Sequence, residues 1–273
     1  MPLSYFQCSI CGKRFDPGQV TYNCPACGGN LDSHFTFEEN PNEVSISTIL
    51  ESREPSIWRY APLLAAPDPG FAATPLHQVG WTPVYQPETL RKSLGMRELW
   101  IKDESRNPSA SFKDRASALV IARAVEADIP TIIAASTGNA GAAMACMAAS
   151  IGRQAVILAP RSAPPAKVAQ LLTFGARVLL VDGSYDQAFE LSIEASRELG
   201  WYNRNTGYNP YTVEGKKTAG LEIWEQVLQL RAKDAPNLTI FIPVGDGNIL
   251  SGVAKGFADL LALGWIEKLP RLV

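Results

Sequence analysis

Two hydrophobic periods alternate along the second half of the chain. Short apolar runs between turn residues are typical of buried strands, and apolar residues every three or four positions are typical of amphipathic helices. The runs predict strands at Leu99–Lys102, Thr131–Ala135, Ala155–Leu158, Val178–Val181 and Leu238–Val244. The periodic stretches predict helices from Lys113 towards Pro130 and at Ala140–Ile151, Lys167–Phe174, Gln187–Leu199, Glu214–Leu230 and Leu250–Leu263. This alternation predicts an α/β fold, with a mostly parallel sheet covered by helices on both faces.

The loop Pro108–Arg115 turns into the first of these helices. Ser111 is the predicted N-cap, with Asp114 three residues later in a relaxed capping box, and this places Lys113 in the first helical turn. The positive end of the helix dipole disfavours an ammonium group there and favours the neutral amine. A neutral amine is what attacks an aldehyde to form a Schiff base. The simpler interpretation is an exposed lysine near a helix start.

Two further strand-to-helix turns have the composition of anion-binding loops. In Ser136–Gly141 the backbone N–H groups, the hydroxyls and the Asn139 amide suit a carboxylate. In Gly245–Asn248 the glycines let the backbone approach a phosphate at the start of the last helix. The carboxylate of Asp246 must then point away from that phosphate or meet a cation. Ordinary helix caps remain the alternative for both loops.

A Schiff-base lysine, a carboxylate cradle and a phosphate cradle suit one molecule, pyridoxal phosphate, which is an aldehyde that carries a phosphate and reacts with amino acids. The stretches that match known sequences are Trp100–Pro108, Ser111–Arg115, Ser136–Asn139, Asn209–Pro210, Glu214–Thr218 and Val244–Gly252. In them the chain resembles the pyridoxal-phosphate enzymes of fold type II, and most of all the threonine synthases, from about residue 82 onward. The resemblance implies a lyase of amino-acid (threonine) biosynthesis.

The resemblance also implies roles for individual residues. Lys113 would bind the cofactor as a Schiff base and act as the acid and base of catalysis, with Phe112 beside it in the cofactor site. Asn139 would bond the cofactor's ring hydroxyl. The substrate carboxylate would be held by Ser136, Thr137, Asn139 and Ala140. The cofactor phosphate would be held by Gly245, Asp246, Gly247, Asn248 and Ile249.

Three positions depart from the threonine synthase pattern. Ala140 stands where these enzymes have a threonine, Gly207 where they have a serine, and Thr212 where they have an arginine. The residues replaced are those associated with the phosphate of O-phosphohomoserine, and threonine cannot supply the charge and bidentate fork of arginine. We therefore expect either a different substrate, or that Arg115, Arg204 or Lys216 has taken over. The alternatives are a serine/threonine ammonia-lyase, a cysteate synthase, a diaminopropionate ammonia-lyase, or a truncated, non-catalytic form.

Four of the five cysteines form a local cluster near the N-terminus. Cys8 and Cys11 make one Cys-x-x-Cys pair, and Cys24 and Cys27 make a second, each followed by glycine. Two such knuckles predict a zinc ribbon in which four thiolates hold a structural ion. A pair of disulfides is the alternative, disfavoured in a reducing cytoplasm.

Composition limits what else the chain does. A net charge of −2 gives no indication of nucleic acid or anionic membrane as a partner. No apolar run reaches a membrane span, and we expect a cytoplasmic enzyme with a small amino-acid substrate. The predicted organisation is a zinc ribbon at 1–31, an extension at 32–94 and a cofactor-binding region at 95–273 with a small mobile lobe near 116–195. The resemblance implies a homodimer, and also a C-terminal part beyond residue 273, because Leu269–Val273 reads as the start of a strand.

Overall fold

The computed structural model describes residues 3–229 and 238–273. At the N-terminus, β1 (Leu3–Cys8), β2 (Arg14–Phe15) and β3 (Leu31–Phe35) form an antiparallel sheet in the order β2-β1-β3. Phe6 and Phe35 are buried beneath this sheet, and the ring of Phe6 meets Tyr211 edge-on at 5.8 Å. The predicted ribbon therefore packs directly on the rest of the chain, and its sheet continues to Phe35.

The segment after the ribbon has little regular structure. Its helices and strands are α1 (Ile46–Leu50), β4 (Val84–Tyr85), α2 (Glu88–Ser93) and β5 (Ile101–Lys102), with short 3₁₀ turns between them. The longest turn, Ile57–Leu63, buries Trp58 and Tyr60 against the main core. Strands β4 and β5 pair antiparallel. Of the strand predicted at Leu99–Lys102, only the last two residues form a strand, which is β5.

A four-stranded parallel sheet forms the centre of the next region. Its elements are α3 (Lys113–Glu126), β6 (Thr131–Ala135), α4 (Asn139–Ser150), β7 (Gln154–Pro160), α5 (Pro165–Thr173), β8 (Arg177–Val181), α6 (Tyr185–Leu199) and β9 (Tyr202–Asn203). The strand order is β8-β7-β6-β9, and all pairs are parallel. Strand β9 was missed from the sequence, because a two-residue strand has too few positions to show a period.

Alternate residues of the central strands face opposite cores, as the period of two requires. Ile132 and Ile157 belong to the main core, whereas Ile133 and Val156 pack in a second cluster with Ala188 of α6. Both faces of the sheet are therefore covered by helices. This confirms the predicted fold class and explains why the strands read as continuous apolar runs.

The last elements are α7 (Tyr211–Ile223), β10 (Thr239–Ile240), α8 (Asn248–Ala262) and β11 (Arg271–Leu272). Helix α7 begins three residues before the predicted start and passes into a π-helical turn at Trp224–Leu228, while the predicted end, Leu230, lies outside the described residues. The strand predicted at Leu238–Val244 is wrong in length. Strand β10 pairs only with β11 among the described strands, and Phe241 and Val244 are exposed beyond it. None of the described helices combines the length and apolarity of a membrane span.

Candidate active site

Lys113 is the first residue of α3, and its side chain is half-buried. Its N–H donates to the Ser111 hydroxyl at 3.1 Å, but the N-cap is Phe112, one residue after the predicted Ser111. The other half of the predicted capping box is wrong, because Asp114 accepts the N–H of Ser109 at 2.7 Å. The left-handed turn at Ala110 (φ 57°) brings Ser109 back over the helix start. The loop before Lys113 is thereby tied to the first turn of its own helix.

The electrostatic setting of Lys113 favours its neutral amine. Burial lowers the pKa of Lys113, the positive charge of Arg204 lowers it further, and Asp246 opposes both. The sequence predicted this direction from the helix dipole, whereas burial is the main cause. The opposing effects of Arg204 and Asp246 also show that three separate segments bring their charged groups close to this amine.

A buried ionic cluster fixes the first turn of α3. Arg115 is fully buried, and its guanidinium makes paired hydrogen bonds to Glu104 (2.7 and 2.7 Å) and also bonds Glu222 and Thr218. Burial alone would raise the pKa of Glu222, but Arg115 and Lys102 outweigh it and lower the pKa to about 2. Every guanidinium nitrogen of Arg115 is thus engaged, so this arginine holds the fold together and has no donor left for a ligand.

The loop Ser136–Gly141 emerges from the carboxyl end of β6 and starts α4. The hydroxyl oxygen of Ser136 accepts the N–H groups of Gly138 (3.2 Å) and Gly141 (2.9 Å), so it caps the turn. Thr137 and Ala140 are half-buried, and Asn139 is exposed, with its side-chain oxygen 3.4 Å from Lys167 Nζ. No hydrogen-bond acceptor for the N–H groups of Asn139 and Ala140 is found in the described parts of the chain. These two donors at a helix start remain available to an anion.

The loop Gly245–Ile249 precedes and begins the fifteen-residue helix α8. Gly247 has a left-handed φ of 76°, and a Cβ atom added at Gly245 or Gly247 would meet nothing within 4 Å. The carboxylate of Asp246 accepts the N–H of Asn248 at 3.0 Å, which directs it to the helix start. The loop is therefore an open cradle at a helix N-terminus, with one of its donors already occupied.

Two buried cations lie behind these loops. Lys216 of α7 is fully buried and donates to the side-chain oxygen of Asn248. Burial and then the charge of Arg204 lower the pKa of Lys216 to about 7. Arg204 follows β9 directly, and its N–H donates to the carbonyl of Ile133 at 2.8 Å, which places it at the same sheet edge as Ser136. Electrostatic interactions therefore link Lys113, Arg204, Lys216 and Asp246 of the second loop. The Ser136 loop lies at the same end of the sheet as Arg204, where sites in parallel sheets occur.

The four clustered cysteines lie apart from these loops, in the ribbon. Their sulfur atoms all lie within 4.8 Å of one another, and none is in a disulfide. The Cys8–Cys27 and Cys11–Cys24 sulfur pairs are 3.5 and 3.7 Å apart. A tetrahedral zinc ion with bonds of about 2.3 Å would separate its sulfurs by about 3.8 Å. The four thiols therefore fit a closed structural zinc site.

Comparison with known proteins decides the family. The sequence profile described as "Pyridoxal-phosphate dependent enzyme" matches residues 76–273, which include all three loops. The chain belongs to this family. Its fold is that of the fold-type II pyridoxal-phosphate enzymes: it resembles tomato (Solanum lycopersicum) threonine deaminase isoform 2, with a TM-score of 0.59 and 27% identity over 70% of this chain and 51% of that one. It also resembles maize serine racemase, with a TM-score of 0.58 and 28% identity over 68% of this chain and 54% of that one.

Curated relatives of this member of the pyridoxal-phosphate family carry the name threonine synthase. The protein from Methanocaldococcus jannaschii is 34% identical over 97% of this chain and 64% of its own length. The protein from Methanosarcina acetivorans is also 34% identical, over 99% of this chain and 64% of its own length. The chain therefore spans somewhat less than two thirds of the relatives it matches.

The open cradle at Gly245 and Gly247, the half-buried amine and the buried cations fit an anionic aldehyde such as pyridoxal phosphate. Sequence reasoning missed part of this site. It named Arg204 and Lys216 only as cations that could replace the missing arginine. It did not identify the buried asparagine amides that fix the loop around Arg204. Asn205 accepts the N–H of Ala135 at 2.8 Å, and Asn209 donates to the carbonyl of Asn203 at 2.7 Å. The signal available was the repeated asparagine in 203–209.

Proposed function

We propose that this chain carries the cofactor-binding catalytic region of a threonine synthase-type lyase, which converts O-phosphohomoserine and water into threonine and phosphate. The observation that carries the proposal is the half-buried Lys113 amine, with its lowered pKa, within electrostatic reach of Arg204 and of Asp246 in the glycine loop. The curated relatives at 34% identity support the substrate. The chain covers 64% of the length of these relatives, so their activity comes to it as a proposal.

Each loop has a role in the proposed reaction. Bound pyridoxal phosphate would supply an electron sink for the negative charge that develops at the substrate Cα. Lys113, whose pKa is lowered by burial, would take up the Cα proton and later return a proton to the substrate. The free N–H groups of Asn139 and Ala140 would hold the substrate carboxylate. The start of α8, with Gly247 and Ile249, would hold the cofactor phosphate.

The cysteine cluster is proposed as a structural zinc site. Four thiolates leave no open coordination position, so the ion would stabilise the ribbon and take no part in the reaction. The ribbon reaches the candidate site through Tyr22, whose hydroxyl accepts the N–H of Asn203 at 2.8 Å and whose ring stacks on Tyr208 at 4.5 Å. Zinc would thus support the loop that carries Arg204.

A second function has its own supporting observation. Ala140, Gly207 and Thr212 lack the groups associated with a substrate phosphate, and threonine deaminase is among the structural neighbours. We therefore keep a fold-type II ammonia-lyase, acting on serine or threonine, as the alternative. It uses the same lysine and carboxylate loop and needs no cation for a leaving phosphate.

A substrate panel separates the two functions. The purified chain, loaded with pyridoxal phosphate, is given O-phosphohomoserine, serine and threonine, and released phosphate and 2-oxo acid are measured. Phosphate release that is lost in Lys113→Ala but kept in Lys268→Ala, an exposed control, supports the proposal. Formation of 2-oxo acid without phosphate release supports the alternative. Failure to take up the cofactor would contradict both functions and favour a non-catalytic form.

A further inference from the structure

Position 212 lacks the arginine of the threonine synthase pattern, and three buried cations could replace it: Arg115, Arg204 and Lys216. Two of these already bind other groups of the protein. Arg115 uses its whole guanidinium on Glu104, Glu222 and neighbouring hydroxyls. Lys216 is turned towards Asn248 in the cofactor-phosphate loop, and its pKa of about 7 leaves it only partly charged at neutral pH. Arg204 remains.

Arg204 is 1% exposed, yet it has no carboxylate partner among the described residues. Its Nε donates to the Ser117 hydroxyl at 3.2 Å and its Nη1 to the Thr206 hydroxyl at 2.8 Å. Its Nη2 has no hydrogen-bond partner in the part of the chain that the structure describes. The other two arginines found buried among residues 3–229 and 238–273, Arg59 and Arg115, are both paired with glutamates. The carboxylates of Asp114 and Asp246 act on Arg204 only through space and form no salt bridge with it. Burying a guanidinium that is not ion-paired is costly, so the unpaired Nη2 points to an anion that arrives from outside the chain.

The surroundings of Arg204 show where such an anion would enter. Thr206 is half-buried, and its hydroxyl oxygen accepts from Arg204, which leaves the hydroxyl proton free to be donated. No acceptor for that proton occurs within the described ranges 3–229 and 238–273. The next residue, Gly207, is open: a Cβ there would meet nothing within 4 Å. Thr206 and Gly207 therefore place a hydrogen-bond donor beside open space, with the buried positive charge of Arg204 directly behind it.

We infer that Arg204, acting with Thr206, binds the anionic side-chain group of the substrate, the phosphoryl group in a phosphorylated amino acid. This inference rests on the proposed function and adds its specificity determinant. The positive charge comes from the turn after β9. In the threonine synthase pattern it comes from an arginine at the position of Thr212 on α7. It differs from the cofactor-phosphate cradle at the start of α8, which has its own cation in Lys216.

The test compares two ligands that differ only in the phosphoryl group, O-phospho-L-homoserine and L-homoserine. Their binding to the cofactor-loaded chain is followed through the cofactor's absorbance, which does not require turnover. Because a charge-assisted contact is lost, Arg204→Gln should reduce a preference of about 10- to 100-fold for the phosphorylated ligand to about threefold or less. Arg204→Lys should keep part of it, Thr206→Val should reduce it, and the surface control Arg153→Gln should leave it unchanged.

The same ligands are also compared by thermal shift on chain without cofactor, so that the result does not depend on the proposed function. There the phosphorylated ligand should raise the melting temperature of the wild type more than that of Arg204→Gln. A preference that persists in folded Arg204→Gln, or its absence in the wild type, overturns the inference. If Arg204→Gln fails to fold, the preference of Thr206→Val decides in the same way. Absence of cofactor uptake in every variant would count against the proposed function alone.

Discussion

Replacing Glu222 with glutamine tests whether the buried ionic cluster holds the candidate site together. Glu222 is fully buried, bonds Arg115 and Lys102 (2.8 and 2.7 Å), and accepts the N–H of Trp81 at 2.8 Å. The amide keeps the shape but leaves Glu104 as the only carboxylate in the cluster. Removing one partner of such a buried pair costs about 3–5 kcal/mol.

The size of the expected effect follows from the chain length. With 273 residues and an unfolding entropy of about 2.1 cal/mol/K per residue, that loss lowers the melting temperature by about 5–9 °C. The control is Glu88→Gln, which removes an exposed pair with Lys92 and should cost less than about 1 kcal/mol. Equal melting temperatures for the two variants would refute the reasoning.

The same variant should change the dependence of stability on pH. The folded pKa of Glu222, about 2, lies below the value of about 4.3 expected for an unfolded glutamate. Its charge therefore stabilises the fold fully above the unfolded value, and this contribution is lost as the pH falls through about 2. The stability difference between wild type and Glu222→Gln should be largest near neutral pH and should narrow on acidification. A difference that grows below pH 4 would contradict this assignment.

Three further predictions concern how the site is held. Tyr22→Phe leaves the N–H of Asn203 without its acceptor and should lower the free energy of unfolding by about 1–3 kcal/mol in urea denaturation; an unchanged midpoint would argue against this contact. Gly215→Ala should destabilise far more than the unhindered control Gly18→Ala, because its Cβ would overlap the carbonyl oxygen of Arg115, and equal melting temperatures would disprove the close approach. Chelation of zinc should lower the melting temperature and added zinc should restore it, whereas a chelator-insensitive midpoint would exclude structural zinc.

The fold was predictable where a strong period and a clear end signal coincide. Helix α6 is an example: Ser184 and Gln187 form a reciprocal capping box, and Gly200 at a φ of 68° ends it. The apolar strands β6 and β7 were equally clear because both of their faces are buried. Strand β10 was overextended because an apolar run does not show how many partners a strand will have.

The candidate site was predictable as loops and unpredictable as a charge arrangement. Lys113 and the glycine turn at 245–247 have local sequence signals that could be read directly. The environment of Arg204 depends on contacts more than 80 residues away in the chain, such as that with Ser117, and on the absence of a salt bridge to it among the described residues. No local pattern contains that information, because it arises only when β9 joins the sheet beside β6.

The most direct test of the account is to locate the covalently bound cofactor. The chain is loaded with pyridoxal phosphate, reduced with borohydride and digested, and the labelled peptide is identified by mass spectrometry. Lys216 is the natural competitor, since its amine is also buried and its pKa is lowered to about 7. The account predicts the label on Lys113, its loss in Lys113→Ala and its retention in Lys216→Gln. Label on Lys216, or on no lysine, would contradict the central claim.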